Sequence, residues 1–263
     1  MICGGDYLSL GFYTYNVCWG CQSSSAEEGR GDRSARPMSG TACHYWHGTR
    51  WPVCLHHTLE NIQFILRSKQ VACLSFQETT PFFLHRLQQL LEKVDLQHFK
   101  LHVSGRSRGV LATVVNSRYF ARARVDQCGV YDDDSGRPWQ LLRLARRLYL
   151  LNVHRPHSSF PASPAITLPK GRLLVVVGDF NCPYRKMQRA RFLGRRMYVP
   201  TPAYLPPKTC CDGSAQGQHR SDNDYVLANL QHSPCFIPPH LELSSDHAPC
   251  GAMVCIPRTA WRR

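Results

Sequence analysis

Short runs of aliphatic, aromatic and β-branched residues recur along almost the whole chain, and several of them stop on a single polar residue. FYTYN stops at Asn16, CLSFQE at Glu78, LYLLNVH at His154, and LLVVVGDFN at Asp179 and Asn181. DYVLANL opens on Asp224, and SSDHAP places Asp246 and His247 just before the last apolar run, 250–255. Runs of this length suit strands and are too short for core helices. Strands are expected at 12–17, 70–76, 99–104, 109–116, 138–144, 147–153, 172–178, 224–230 and 250–255.

Helical spacing is rarer. Leu59, Ile62, Ile65 and Leu66 mark one helix face, and Thr80-Pro81 reads as a cap with proline in the first turn. Phe83, Leu84, Leu87, Leu91 and Val94 continue that second face. Strands therefore outnumber helices, and short turns join most of them. The pattern argues for a sheet-dominated α/β sandwich in one domain over 1–263, not for a doubly wound parallel sheet. Residues 19–56 are rich in Ser, Gly, Arg, Cys and His without periodicity, and read as a long surface loop or insertion.

The longest aliphatic run, Leu173–Val177, is far short of the roughly 20 residues that span a bilayer. The first 17 residues combine no basic segment with an apolar one, so a secretory signal is not expected and the chain is placed inside the cell, in nucleus or cytoplasm. A monomer is expected. Lys and Arg number 32 against 18 Asp and Glu, a net charge of +14. Such a field attracts polyanions: nucleic acid, phosphoinositides or an anionic membrane. In this setting the 13 cysteines read mostly as reduced thiols, with Cys73, Cys182 and Cys255 as small core residues.

Loops at the ends of a rigid sheet are where chemistry concentrates. The carboxylates and carboxamides planted there favour a hard, oxygen-seeking cation such as Mg²⁺, with Mn²⁺ as a substitute. The two histidines add proton transfer and stabilisation of a phosphoryl oxyanion. These are the parts that phosphodiester hydrolysis needs.

In order along the chain, YNV, FQE, NVH, GDFN, NDYVL and SDH resemble the motifs of the endonuclease/exonuclease/phosphatase superfamily, deoxyribonuclease I-like and exonuclease III-like. The resemblance runs from Asn16 to His247. It implies a four-layer α/β/β/α sandwich and a Mg²⁺-dependent nuclease, with DNA ahead of RNA as substrate. It also implies roles. Glu78 matches the principal metal carboxylate, Asn16 the neighbouring amide that supports metal or phosphate binding, and Asp246 a second metal ligand. Asp179 positions or deprotonates the attacking water, and Asn181 binds the scissile phosphate. His247 contacts the phosphate and moves a proton, Asp224 orients it, and His154 is the second histidine. Arg137 resembles a phosphate-contacting arginine. Asn223 stands where an apolar residue is usual, which makes Asp222 a rival of Asp224; Tyr225 and Val226 favour Asp224 by register. His154 has no evident acidic partner in the sequence.

Arg185, Lys186, Arg189, Arg191, Arg195 and Arg196 form the densest basic stretch and directly follow GDFNCPY. They read as a phosphate-backbone track beside the active rim, with Tyr184, Phe192 and Tyr198 for stacking. Cys18 and Cys21 have redox spacing in the wrong context, and together with Cys43, His44, His47, Cys54, His56 and His57 they match no standard zinc pattern, so a thiol-rich loop is the reading. RGD at 30–32 is taken as chance. Two rival functions stand beside the nuclease: a phosphatase or lipid phosphodiesterase on the same scaffold, and a non-catalytic nucleic-acid-binding module.

Overall fold

The computed structural model describes residues 3–17, 51–105, 110–132, 135–156, 164, 166–184, 191–193, 195–198, 200, 207–209, 222–241, 244–245 and 247–261. Two five-stranded sheets face each other. The first has the order β12 (Cys250–Pro257), β1 (Tyr7–Asn16), β2 (Val71–Thr79), β4 (Val110–Asn116), β3 (Phe99–Ser104). The second runs β11 (Asp224–Ala228), β8 (Leu173–Asp179), β7 (Leu148–His154), β6 (Pro138–Arg143), β5 (Arg124–Val130). In each sheet one pair is parallel, β1 with β2 and β7 with β8, and the others are antiparallel. A short hairpin, β9 (Arg191–Phe192) and β10 (Arg195–Arg196), stands apart.

Helices α1 (Trp51–Arg67) and α2 (Pro81–Leu91) cover the outer face of the first sheet. Ile62, Ile65 and Leu66 of α1 and Phe83, Leu87, Leu90 and Leu91 of α2 share one buried cluster with Tyr13, Tyr15, Leu74, Phe76 and Val114. The Thr80 hydroxyl accepts from the Phe83 amide at 3.1 Å, and Pro81 fills the first turn, as the cap signal requires. Helix α1 begins at Trp51, inside the span read as loop. Val94 lies beyond the end of α2 and is 87 % exposed, so it has no part in the helix face.

The layer between the sheets is not purely apolar. Thr14 donates to Gln77 Oε1 at 3.1 Å, and Gln77 Nε2 donates across the sandwich to Asn152 Oδ1 at 2.7 Å. Asn152 Nδ2 in turn reaches the carbonyls of Phe76 and Ala112 at 3.2 and 3.1 Å. Thr113 donates to Gln140 Oε1 at 2.8 Å. All these side chains are fully buried. A buried amide without its partner costs about 1–3 kcal/mol, so a slip of one sheet over the other is strongly disfavoured. The seam fixes the register of the strands that carry the polar residues one step further on.

The cysteines correct an expectation. Cys255 is no free thiol: it is disulfide-bonded to Cys3, with Cα atoms 5.8 Å apart, and joins β12 to the chain leading into β1. Cys54 is disulfide-bonded too. Cys73 and Cys182 are free and buried.

Candidate active site

Strand register gathers the polar strand ends on one rim. His154 of β7 is the Cα partner of Asp179 on β8, and Asp179 is the partner of Asp224 on β11. Three ionisable residues thus stand abreast on the second sheet. Facing them, Asn16 of β1 is paired with Gln77, next to Glu78. Asn16 Nδ2 lies 3.1 Å from Asp179 Oδ2, 3.3 Å from Glu78 Oε1 and 3.5 Å from His247 Nε2. One amide therefore touches both sides of the cleft.

Glu78 reaches this point through backbone distortion. The β2–β4 register shifts between Phe76 and Thr79, and Glu78 has φ +56°. Asn181, at φ +46°, is left-handed as well. Such conformations cost about 1–3 kcal/mol for non-glycine residues and persist where the surroundings enforce them. At Asn181 the enforcement is visible: its amide donates to Asp179 Oδ1 at 2.8 Å, and its Nδ2 to the Arg155 carbonyl at 2.6 Å.

The two histidines are set in opposite ways. Asp224 Oδ2 accepts from His247 Nδ1 at 2.7 Å, so His247 presents Nε2 as its lone-pair nitrogen. That atom faces Asn16 and lies 3.9 Å from Asp179 Oδ2. At His154 the order reverses. A guanidinium only donates, and Arg137 Nη1 donates to His154 Nδ1 at 2.9 Å. The ring proton then sits on Nε2, which faces Glu78 Oε1 at 3.5 Å and Asp179 Oδ2 at 3.6 Å. The acidic neighbours of His154 that the sequence did not reveal are these two carboxylates. Arg137 also lies 3.5 Å from Glu78 Oε1.

Burial grades the site. Asp179, Asp224, His154 and His247 form a closed floor, while Glu78 and Arg137 keep 28 % and 24 % of their side chains exposed at its mouth. Burial, and then the neighbouring Asp224 charge, push the Asp179 carboxyl up to about 6, against the pull of His247 and the Asn181 and Asn16 hydrogen bonds. Asp179, Asp224 and His247 each offer a ligand atom within 4.8 Å of the others. Converging carboxylates with one imidazole suit a hard divalent cation.

The rival carboxylate, Asp222, is elsewhere: its Oδ2 accepts from the Tyr184 amide at 3.1 Å and holds the chain after β8. Asp246, Arg185, Lys186 and Arg189 lie outside the described residues, as do Cys18, Cys21, Cys43, His44 and His47. His56 and His57 both face Glu60, at 3.3 and 3.2 Å. Arg191 is described only in its backbone, paired with Arg196, and of the Phe192 side chain nothing is described. The expected stacking role of Tyr184 is overturned, because the ring is fully buried edge-on against Tyr225. Tyr198 packs edge-on against His232. Arg195 and Arg196 are not beside the rim. Arg195 donates to the carbonyls of Leu168 and Pro169, which precede β8, and the Tyr198 amide donates to Ala228, at the end of β11 remote from Asp224. The hairpin therefore lies at the end of the second sheet away from Asp179 and Asp224.

Three residues around the site carried no flag in the sequence. The Ser245 hydroxyl donates to the Asn16 carbonyl at 2.9 Å and accepts from the His247 amide at 3.1 Å. Thr209 Oγ1 accepts from the Asp224 amide at 3.0 Å. Arg155 is almost wholly buried and ties β7 to the GDFN turn through its amide, which donates to the Asp179 carbonyl at 2.9 Å. Ser245 stands beside Asp246 and Arg155 beside His154, and that adjacency was the available signal.

Residues 13–247 match the sequence model of the Endonuclease/Exonuclease/phosphatase family. No curated protein sequence matches the chain. Among solved structures, an endonuclease/exonuclease/phosphatase family protein from Leptotrichia buccalis C-1013-b is similar at TM-score 0.60 and 14 % identity, over 93 % of this chain and 99 % of that one. Truncated Caenorhabditis elegans TDP2 is similar at 0.57 and 15 %, over 94 % and 97 %. The inositol polyphosphate 5-phosphatase domain of SPsynaptojanin, solved with inositol (1,4)-bisphosphate and calcium ion, reaches 0.56 and 12 %, over 95 % and 85 %. At these identities the likeness carries the fold, the four-layer deoxyribonuclease I-like sandwich.

Proposed function

The chain belongs to the Endonuclease/Exonuclease/phosphatase family, and on that premise we propose that it is a Mg²⁺-dependent phosphodiesterase that cleaves nucleic acid, DNA ahead of RNA. One observation supports this above the others: His154, Asp179 and Asp224 stand abreast on one sheet and face Asn16 and Glu78 on the other. The net charge of +14 favours a polyanionic substrate over a small headgroup.

Glu78 and Asn16, with Asp246 as the further candidate, are the residues that would hold the cation, beside the converging Asp179, Asp224 and His247, which keep the proton-transfer roles. When bound, it supplies neutralisation of charge on the phosphoryl oxygens. The chain's own groups do the rest. Asp179, raised to about 6, is poised near neutrality to orient water and take its proton. His247 offers Nε2 to the phosphate, and Asp224 stabilises the imidazolium that forms when that nitrogen is protonated. His154 and Arg137 line the opposite side with N–H donors, where negative charge develops on the phosphoryl group. Asn181 is held beside Asp179 to contact the scissile phosphate.

A substrate panel tests the reading: plasmid DNA, single-stranded RNA and a soluble inositol phosphate, each with a Mg²⁺ titration and an EDTA control. Metal-dependent cleavage of DNA is expected. Hydrolysis of the inositol phosphate with nucleic acid untouched would replace it with the phosphatase reading. Retention of DNA in EDTA and no cleavage at any Mg²⁺ concentration would leave a binding module.

A further inference from the structure

The displaced hairpin draws attention to the end of the sandwich opposite the candidate site. The β6–β7 turn carries Arg146 and Arg147, both exposed, and the turn into β8 carries Lys170 and Arg172. The two turns are stitched together: Arg147 Nη2 donates to the Gly171 carbonyl at 3.1 Å, and Arg172 Nη1 to the Arg146 carbonyl at 2.9 Å. Arg195 donates to Pro169 at 2.8 Å, which brings the β9–β10 hairpin and Arg196 alongside Lys170. On the next strands Arg124 and Arg143 are direct Cα partners.

Three features set this cluster apart from a solvated basic face. First, none of these eight cations makes an ion pair among the described residues, although Arg67 and Arg137 elsewhere do. Asp126, the nearest carboxylate along β5, pairs with none of them. Second, like charges directly opposite on neighbouring strands oppose folding, so Arg124 against Arg143 is a standing cost without an external anion. Third, seven of the eight are arginines, and several guanidiniums are held in place by backbone carbonyls. A guanidinium has five donors, so the bonds made here leave others unused, most openly on the exposed Arg147, whereas Nε of Arg172 is itself buried. Fixed, forked donors match phosphodiester oxygens and lose little entropy on binding.

We propose that this pole is a second, non-catalytic docking surface for the phosphodiester backbone of a nucleic acid. It sits about 20 Å from the candidate site, the length of β7 or β8 at roughly 3.3 Å per residue. A strand held there is too far away to be cut where it is held. The surface therefore anchors a long substrate, or a second segment of it, while the rim works elsewhere. The arginine-rich composition favours phosphate over a lipid surface, which would be met by aromatic or aliphatic wedges between the charges.

The test needs no catalysis. Among the described residues Arg146, Lys170 and Arg196 make no side-chain hydrogen bond, so Arg146→Gln, Lys170→Gln and Arg196→Gln together leave the stitched turns intact. Binding of a fluorescein-labelled 30-base-pair DNA duplex, and of an RNA duplex of equal length, is followed by anisotropy in EDTA at several salt concentrations. The triple variant is expected to bind at least tenfold more weakly at low salt. Its log–log salt slope should flatten by about 0.9 per lost contact. A control removing equal charge from the helical layer, Arg67→Gln, Arg86→Gln and Lys93→Gln, should change the slope little. Equal losses in variant and control would reduce the effect to net charge and overturn the proposal. So would an unchanged slope in the triple variant, or binding to phosphatidylserine vesicles in preference to either duplex. Absence of hydrolysis in the substrate panel, by contrast, bears only on the rim.

Discussion

Each side chain at the rim is constrained by a neighbour that can be removed, which makes the site testable one atom at a time. Glu78→Gln keeps the shape and deletes the charge. Turnover should collapse while DNA binding in EDTA persists, and near-normal turnover at saturating Mg²⁺ would remove Glu78 from the ligand set. His247→Ala and Asp224→Ala should each cost roughly 10²–10⁴-fold in kcat. Because their 2.7 Å contact makes them one unit, the double variant should be little worse than the worse single one. Fully multiplicative losses would break the pairing. Asp179 carries a stability signature as well. Burial raises its carboxyl to about 6 from the usual 3.8, so the folded state keeps a proton that the unfolded state gives up between those values. Metal-free protein should therefore lose stability as pH rises through that window, by about 3 kcal/mol in all. Asp179→Asn should raise the Tm by several degrees at pH 7.5 in EDTA, and the gain should vanish below pH 4. A Tm that falls at pH 7.5 would contradict the burial argument.

At the scale of single elements, strand β8 depends on Gly178. Its φ is +147°, and a Cβ there would lie 1.9 Å from the Val153 carbonyl oxygen of β7. Gly178→Ala must then push β7 from β8 at the point where His154 and Asp179 stand abreast. A loss above about 4 kcal/mol is expected, read as a collapse of the urea midpoint; a midpoint within error of wild type would show that the strands can part. This same alignment explains what the sequence made visible. The aliphatic runs ending in Asp179 and His154 announce both the strand and the polar residue at its tip. β5 went unread because RVDQCGV is an edge strand with no fully buried residue: Val125, Gln127 and Gly129 are its less exposed positions and Val130 is exposed, so it lacks the apolar signal of a buried strand. The beginning of α1 was hidden by the His- and Cys-rich composition around His56 and His57, which masks an apolar face carried by Cys54 and Leu55. The partners of His154 were invisible for another reason: they lie on β2 and β8, and only folding brings them within 3.6 Å.

Over the whole molecule, sequence distance and spatial distance part company. Arg195 follows Asp179 by 16 residues and ends at the other pole, whereas Asn16 and His247, 231 residues apart, end 3.5 Å apart. The Cys3–Cys255 bond has the same character, since nothing local marks two cysteines 252 residues apart as partners. Cys3→Ser should lower the unfolding free energy by about 2–4 kcal/mol in a urea titration, and no change would show that β1–β12 pairing alone closes the chain. That pairing runs from Tyr7 opposite Pro257 to Thr14 opposite Cys250. The two described ends of the chain are therefore neighbours, at the pole away from the rim. A short peptide linker joining them would span almost no distance, so the domain is built to tolerate circular permutation. For the same reason a tag or a fused protein at either end would hang from the basic pole and leave the mouth between Glu78 and Arg137 open.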